Sequence, residues 1–292
     1  MSPALGPWTL RFWGVRGSIP APGPGTVRYG GNTPCAVLEA PGGSALVLDA
    51  GTGLREYGRA VRDRPASDVD LVLTHTHWDH IQGLPFFQPL YAPAGRLRLY
   101  GPRQAVGLRR VLERLTAWEN FPIPAEAWAG LGALVEVDEG EFGAGGWQIR
   151  ATRLCHPSHT LGFRLSRPGV APLAYLTDNE LAGGSHGVPS DWRDNLVDFL
   201  RGVRTLVHDT TWSEEQLGTH QGWGHSSPRE AVLLAAEAGC RRLVMFHHHP
   251  EHDDATVDQL LDRAREDAHR LAGGLAVDAA MEGLALTLDQ EA

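Results

Sequence analysis

Residues 74–80 read THTHWDH, so His75, His77, Asp79 and His80 fall within six positions directly after the apolar run DVDLVL. Imidazoles and carboxylates at this density are metal ligands by type. In an extended chain His75, His77 and Asp79 share one side while His80 comes from the following turn, so the four can face two adjacent cations. A complete site needs more ligands, and candidates recur beyond other apolar runs. His156 follows WQIRATRLC, Asp178 follows PLAYLT, and His247, His248 and His249 follow RRLVMF. Imidazole and carboxylate without thiolate fit a catalytic site that keeps water better than a closed structural zinc cage. Two cations sharing a carboxylate would clamp the attacking and departing oxygens of a hydrolysed ester, which is a hydrolase layout. Isolated His186, His252 and His269 read as ordinary histidines.

The elements that must position these residues alternate between short apolar strands and helices. Strands are expected at 8–15, 34–39, 45–49, 70–74, 97–100, 134–137, 147–154, 161–165, 173–177, 205–209 and 242–246. Helices are expected at 53–64, about 103–118, 195–201, 228–238 and 255–271, with a helical segment also starting after His80. The helix at 228 is the best marked: Ser227 can cap it, Pro228 sits in its first turn, Glu230 completes an S-x-x-E capping box and Gly239 ends it. Both halves mix strands and helices, which implies layered α/β packing. No composition shift or repeat divides the chain, so a single domain over 1–292 is expected. The Pro- and aromatic-rich region 84–133 is expected either to form a wall over the site that sets specificity or, equally, to be a packed flap without substrate contact.

The 292 residues are 42% hydrophobic and 21% charged, which excludes a disordered chain and allows a sizeable core. A net charge of −9 disfavours a long nucleic acid as substrate. No run approaches a membrane span and the opening shows no export segment, so a cytoplasmic protein is expected. Cys35, Cys155 and Cys240, widely spaced and without a C-x-x-C pair, fit reduced thiols.

THTHWDH matches the H-x-H-x-D-H motif of the metallo-β-lactamase superfamily, and CHPSHTLGFR, LTDNE and LVMFHHHP fall in that family's order. The opening RFWGVRGSIPAPGPGTVRYGGNTPC, then LVLDAGTGL and HDTTWSEEQ with GWGHSSPREA, resembles the branch near ribonuclease Z and the cyclic-phosphate phosphodiesterases. The resemblance spans almost the whole chain. It implies an α/β fold, a four-layer αββα sandwich of two mixed β-sheets flanked by helices, with metals at one edge. It also implies two divalent cations, zinc first, with manganese or iron as alternatives. One would be held by His75, His77 and His156, the other by Asp79, His80 and His247, with Asp178 bridging. His159 competes with His156, whose six-residue step to Gly162 matches the family pattern, and His248 and His249 compete with His247, which directly follows the strand. Asp49 resembles the family's bracing aspartate.

Cleavage of a phosphodiester also benefits from a general acid that is not a ligand. His225 matches the histidine of the H-S-T-type loop in ribonuclease Z relatives, and Asp209 could orient it; His220 is the weaker contender and His208 reads as structural. Asp79 is counted with both ligands and catalytic groups. The expected function is a binuclear hydrolase of small or cyclic phosphodiesters, with a small-molecule partner, no membrane, and a homo-oligomer left open. Lactamases would carry an export segment, and flavodiiron-type oxidoreductases place a glutamate where this chain has His77. Ribonuclease Z, the main rival, inserts a tRNA-binding arm between the third motif and the bridging aspartate, whereas His156 and Asp178 are only 22 residues apart. A non-catalytic, metal-stabilised nucleotide-sensing module would be favoured by missing ligands, and every ligand position is filled.

Overall fold

A computed structural model of the chain describes residues 7–40, 45–62, 68–92, 96–182 and 186–288. Two seven-stranded sheets pack face to face. The first contains β1 (Thr9–Gly14), β2 (Cys35–Glu39), β3 (Ala45–Leu48), β4 (Val69–Val72), β5 (Leu97–Pro102) and β6 (Leu131–Val137), neighbours in chain order. The second contains β7 (Gly140–Ala144), β8 (Trp147–Arg153), β9 (Leu161–Arg167), β10 (Val170–Leu176), β11 (Thr205–Asp209), β12 (Arg242–Phe246) and β13 (Ala276–Ala279). β14 (Ala285–Thr287) returns to pair antiparallel with β1. Both sheets are mixed: β3 to β6 run parallel, as do β10 to β13.

Helices cover the two outer faces. Against the first sheet lie α1 (Gly53–Val61) and α3 (Leu108–Leu115), with the single-turn α2 (Trp78–Ile81) at its edge. Against the second lie α4 (Trp192–Leu200), α6 (Pro228–Ala238) and α7 (Asp254–Leu271), and the short α5 (Glu214–Leu217) precedes α6. Central strands are buried on both faces, which explains their continuous apolar runs. In β4, Val72 points into the core between the sheets while Val69 and Leu71 join the core under α1 and α3. In β12, Val244 and Phe246 face the inner core and Leu243 and Met245 the helices. The result is the four-layer αββα sandwich.

Helix α6 is built as its sequence predicts: Ser227 Oγ accepts from Glu230 N, Glu230 Oε2 accepts from Ser227 N at 2.9 Å, and Gly239 closes it at φ 74°. Other expected bounds shift. The helix expected at 103–118 is only Leu108–Leu115, because Gly107 takes φ 82° ahead of it and Thr116 Oγ1 turns to the Ala125 N–H. The helix expected at 53–64 ends at Val61, and 63 and 64 lie outside the described residues, as do 1–6 of the opening. Strands β7, β13 and β14 were not anticipated, since GEFGA, AVDA and ALT are too short or glycine-rich to show a period. Among the described residues no helix is long and apolar enough to cross a membrane.

Candidate metal centre

The cluster residues enter from the C-terminal ends of strands, except Asp79 and His80, which stand on α2. His75 and His77 follow β4, His156 follows β8, Asp178 follows β10, Asp209 ends β11 and His247 follows β12. Main-chain bonds draw the two sheets together at this edge: Leu161 N donates to Thr74 O at 2.9 Å, Gly17 N to His248 O at 2.9 Å and His248 N to Val15 O at 2.9 Å. A Cβ on Gly17 would lie 2.4 Å from the His247 ring, so only glycine lets that loop approach. Among the described residues five non-glycine positions have positive φ, and four are here: Ser18, Asp49, Asp178 and His247. Such conformations cost about 1–3 kcal/mol each and persist only where the surroundings enforce them, as at working sites.

Two groups of four side chains result, and a third of Asp209, His225 and His247 adjoins them. His75, His77, His156 and Asp178 form one, Asp79, His80, His247 and Asp178 the other, with the possible ligand atoms of each group within 4.8 Å of one another. Asp178 belongs to both and divides its oxygens between them. Its Oδ1 lies 3.1 Å from His80 Nε2 and 3.2 Å from His247 Nε2, and its Oδ2 lies 3.6 Å from His75 Nε2 and 3.8 Å from His156 Nε2. Asp79 Oδ2 lies 3.3 Å from His80 Nε2 and 3.2 Å from His247 Nε2, and accepts from Ser18 N at 2.8 Å. The sequence placed Asp79 on the same extended side as His75 and His77. The structure corrects this, because α2 begins at Trp78 and turns Asp79 toward His80.

These donors fit divalent cations. The Nε2 atom of His75 is buried without a hydrogen-bond partner. Ring nitrogens face each other at 3.1 Å between His156 and His77 and at 3.4 Å between His80 and His247, contacts that repel when both present lone pairs. A cation between them relieves that repulsion and satisfies the orphan. The opposite ring nitrogens are occupied by the protein, which is how ligating histidines are oriented. Nδ1 of His156 donates to Gly224 O at 3.0 Å, Nδ1 of His80 sits 3.0 Å from Asp49 Oδ2, and Nδ1 of His247 sits 3.0 Å from Thr211 Oγ1. Asp49 also accepts from Thr74 N, Thr74 Oγ1 and Tyr175 OH, so it braces the site from behind.

The charges agree. Burial pushes the His75 imidazole well down and His156 to about 4, keeping both neutral. For His80 burial acts the same way, but Asp79, Asp178 and Asp49 outweigh it and raise the group well above its usual range. Three carboxylates converging on one buried ring demand positive charge there.

Beside the cluster, His225 Nδ1 lies 2.6 Å from Asp209 Oδ2, and its ring stacks on His247 with centroids 5.1 Å apart. Asp209 is fully buried and also accepts from Asn179 N, Thr211 N and Thr211 Oγ1. An open cleft of about 510 Å³ is lined by Ser18, Thr76, His77, Trp78, Asp79, Asp178, His225 and His247. None of these belongs to 84–133. Instead Leu84, Phe87 and Leu90 from that region pack into the core with Leu54 and Tyr57 of α1.

The competing histidines lie elsewhere. His159 faces Arg103 O and Asp138, His248 Nε2 donates to Ala280 O at 2.9 Å, and His249 packs at a tilt against Trp212. His220 stacks on Trp212 and His208 is buried against Asn179 and Asp209 O. Sequence reasoning missed Thr74, Thr211, Tyr175 and Glu180. The buried Glu180 accepts from Gly222 N and Gly224 N, both at 2.9 Å, and so fixes the loop that carries His225 and whose carbonyl orients His156. The one signal for it was its place two residues beyond Asp178.

A beta-lactamase superfamily domain matches residues 45–248. An uncharacterised protein of Mycobacterium tuberculosis is 27% identical over 227 residues, covering 73% of each chain. A ribonuclease BN of Escherichia coli is 26% identical over 289 residues, covering 82% of this chain and 91% of its own. Among solved structures, a diphosphatase of the PhnP family superposes with a TM-score of 0.65 at 21% identity, covering 97% of both chains. Yeast PDE1 superposes with a TM-score of 0.69 at 15% identity, covering 97% of this chain and 99% of its own.

Proposed function

The chain belongs to the metallo-β-lactamase superfamily, and from that premise we propose that it is a binuclear metal-dependent phosphodiesterase acting on small or cyclic phosphodiesters. The observation that carries this reading is Asp178, whose two oxygens are turned toward two separate sets of histidines at the floor of an open cleft. His75, His77 and His156 would hold one cation and Asp79, His80 and His247 the other, with zinc the first expectation and manganese or iron the alternatives. Two such cations supply Lewis acidity toward a phosphoryl group and a hydroxide nucleophile near neutral pH.

The chain's own groups do the rest. Nδ1 of His225 is committed to Asp209, which leaves Nε2 to deliver a proton to the departing oxygen. Asp79, held by the Ser18 amide on the cleft wall, can orient or deprotonate the attacking water. The buried cysteines, which form no disulfide among the described residues, fit a reducing compartment, and we place the protein in the cytoplasm.

The PhnP-family diphosphatase supports phosphate-ester chemistry on this fold, while the ribonuclease BN relatives favour a second reading, tRNA processing. Against the second, β9 and β10 are joined through Pro168 and Gly169 alone, which leaves no arm between His156 and Asp178, and the net charge is −9. Assays of the metal-reconstituted protein on bis-aryl phosphates, cyclic nucleotides, sulfate esters, lactams, thioesters and precursor tRNA test this. Turnover is expected on the small diesters only. Efficient 3′ processing of precursor tRNA without small-diester activity would overturn the proposal.

A further inference from the structure

Seven of the eight side chains lining the cleft are polar; the exception is Trp78. It stands between His77 and Asp79 in the chain, so the same turn that assembles the two ligand groups fixes its backbone. Trp78 is 77% exposed. A tryptophan carries about 150–250 Å² of surface and is usually buried on average, so an exposed one at the lip of a site calls for a partner. Trp223, two residues before His225, is exposed as well but has ring partners in Trp212 and His220. No ring contact joins Trp78 to another side chain among the described residues. The cleft, at about 510 Å³, is larger than a phosphate group needs and lies in the range that takes a nucleotide-sized molecule.

We propose that Trp78 is the stacking platform for a flat aromatic group on the substrate, so that the site takes nucleoside phosphodiesters. The inference rests on the phosphodiesterase reading and narrows it. A single indole wall facing water suits a nucleobase, which stacks on one face while its polar edges stay wet; an alkyl chain would gain contact on one side only. Because every base has a π-face, such a platform selects for the presence of a base and tolerates its identity.

The test uses full-length, metal-reconstituted protein and two substrates that share one reacting ring: adenosine 2′,3′-cyclic phosphate, and methyl riboside 2′,3′-cyclic phosphate, which lacks the base. Loss of a base stack is worth roughly 5- to 150-fold in binding. Trp78→Ala is therefore expected to raise KM for the adenosine substrate by about that factor, with kcat and all parameters for the base-free substrate little changed. Calorimetry with adenosine monophosphate and ribose phosphate should show the same selective loss without turnover. Should alanine disturb metal content, Trp78→Leu keeps the apolar bulk and removes only the stack. Equal effects on both substrates, or none on the adenosine one, would overturn the platform. Hydrolysis of bis(p-nitrophenyl) phosphate reports the phosphodiesterase reading separately: its absence, together with inactivity on both cyclic phosphates, overturns that reading itself.

Discussion

Asp178→Ala is expected to strip both cations together and to reduce diester turnover by more than about 100-fold, since even loss of a partner behind a ligand typically costs 10- to 100-fold. The expectation follows from the division of the carboxylate, with Oδ1 toward His80 and His247 and Oδ2 toward His75 and His156. Removing it takes charge from both groups. It also leaves His75 Nε2, already without a hydrogen-bond partner, next to a cavity. Asp79→Ala provides the contrast. Of the clustered histidines, Asp79 lies within 3.3 Å of His80 and His247, so its loss should empty one position and leave the other near full occupancy. Elemental analysis of the two variants decides between shared and separate holding: two full equivalents retained in Asp178→Ala would refute the bridge.

The second large effect concerns the proton. His225→Ala should keep both cations and the fold, because the ring belongs to neither group of four, and lose about 10²–10⁴ in turnover. The loss should shrink with leaving groups that are already stable anions and need no proton. Burial alone would lower the His225 imidazole, but the Asp209 carboxylate outweighs it and, with Asp178 and Asp79, raises the group to about 9 in the metal-free protein. The acid form is therefore present below that value and lost as pH rises through it. Bound cations oppose a further positive charge, so the alkaline limb of kcat should fall at or below about 9. Asp209→Asn removes the largest raising influence and should move that limb to lower pH. Near wild-type turnover of a poor leaving group by His225→Ala would show that another group delivers the proton.

The part of this centre legible in the sequence was the part written contiguously or at strand ends. THTHWDH announces itself, and His156, Asp178 and His247 each stand beyond an apolar run. Choosing His247 over His248 depended on its place directly after β12; in the structure the His247 ring stands with Asp79, His80 and Asp178, while His248 Nε2 donates to Ala280 O. The carboxylate behind His225 could be guessed because β11 ends at Asp209.

What the sequence could not show is held by single-group contacts that leave no period. Thr74 and Thr211 act through single hydroxyls on Asp49, Asp209 and His247. Glu180 acts through two glycine amides more than forty residues away, at Gly222 and Gly224. Region 84–133 left two readings open, a wall over the cleft or a packed flap. Leu84, Phe87 and Leu90 are fully buried beneath α1, where aromatic and apolar residues serve packing.

The central claim is that two cations, and not one, make the working site. It is tested most directly by returning zinc or manganese stepwise to chelator-stripped protein while bound metal and hydrolysis of bis(p-nitrophenyl) phosphate are read on the same samples. The arrangement of His75, His77 and His156 opposite Asp79, His80 and His247 around Asp178 predicts negligible turnover without metal and a maximum at two equivalents per chain. Full turnover in the stripped protein, or a maximum reached and held at one equivalent, would contradict it.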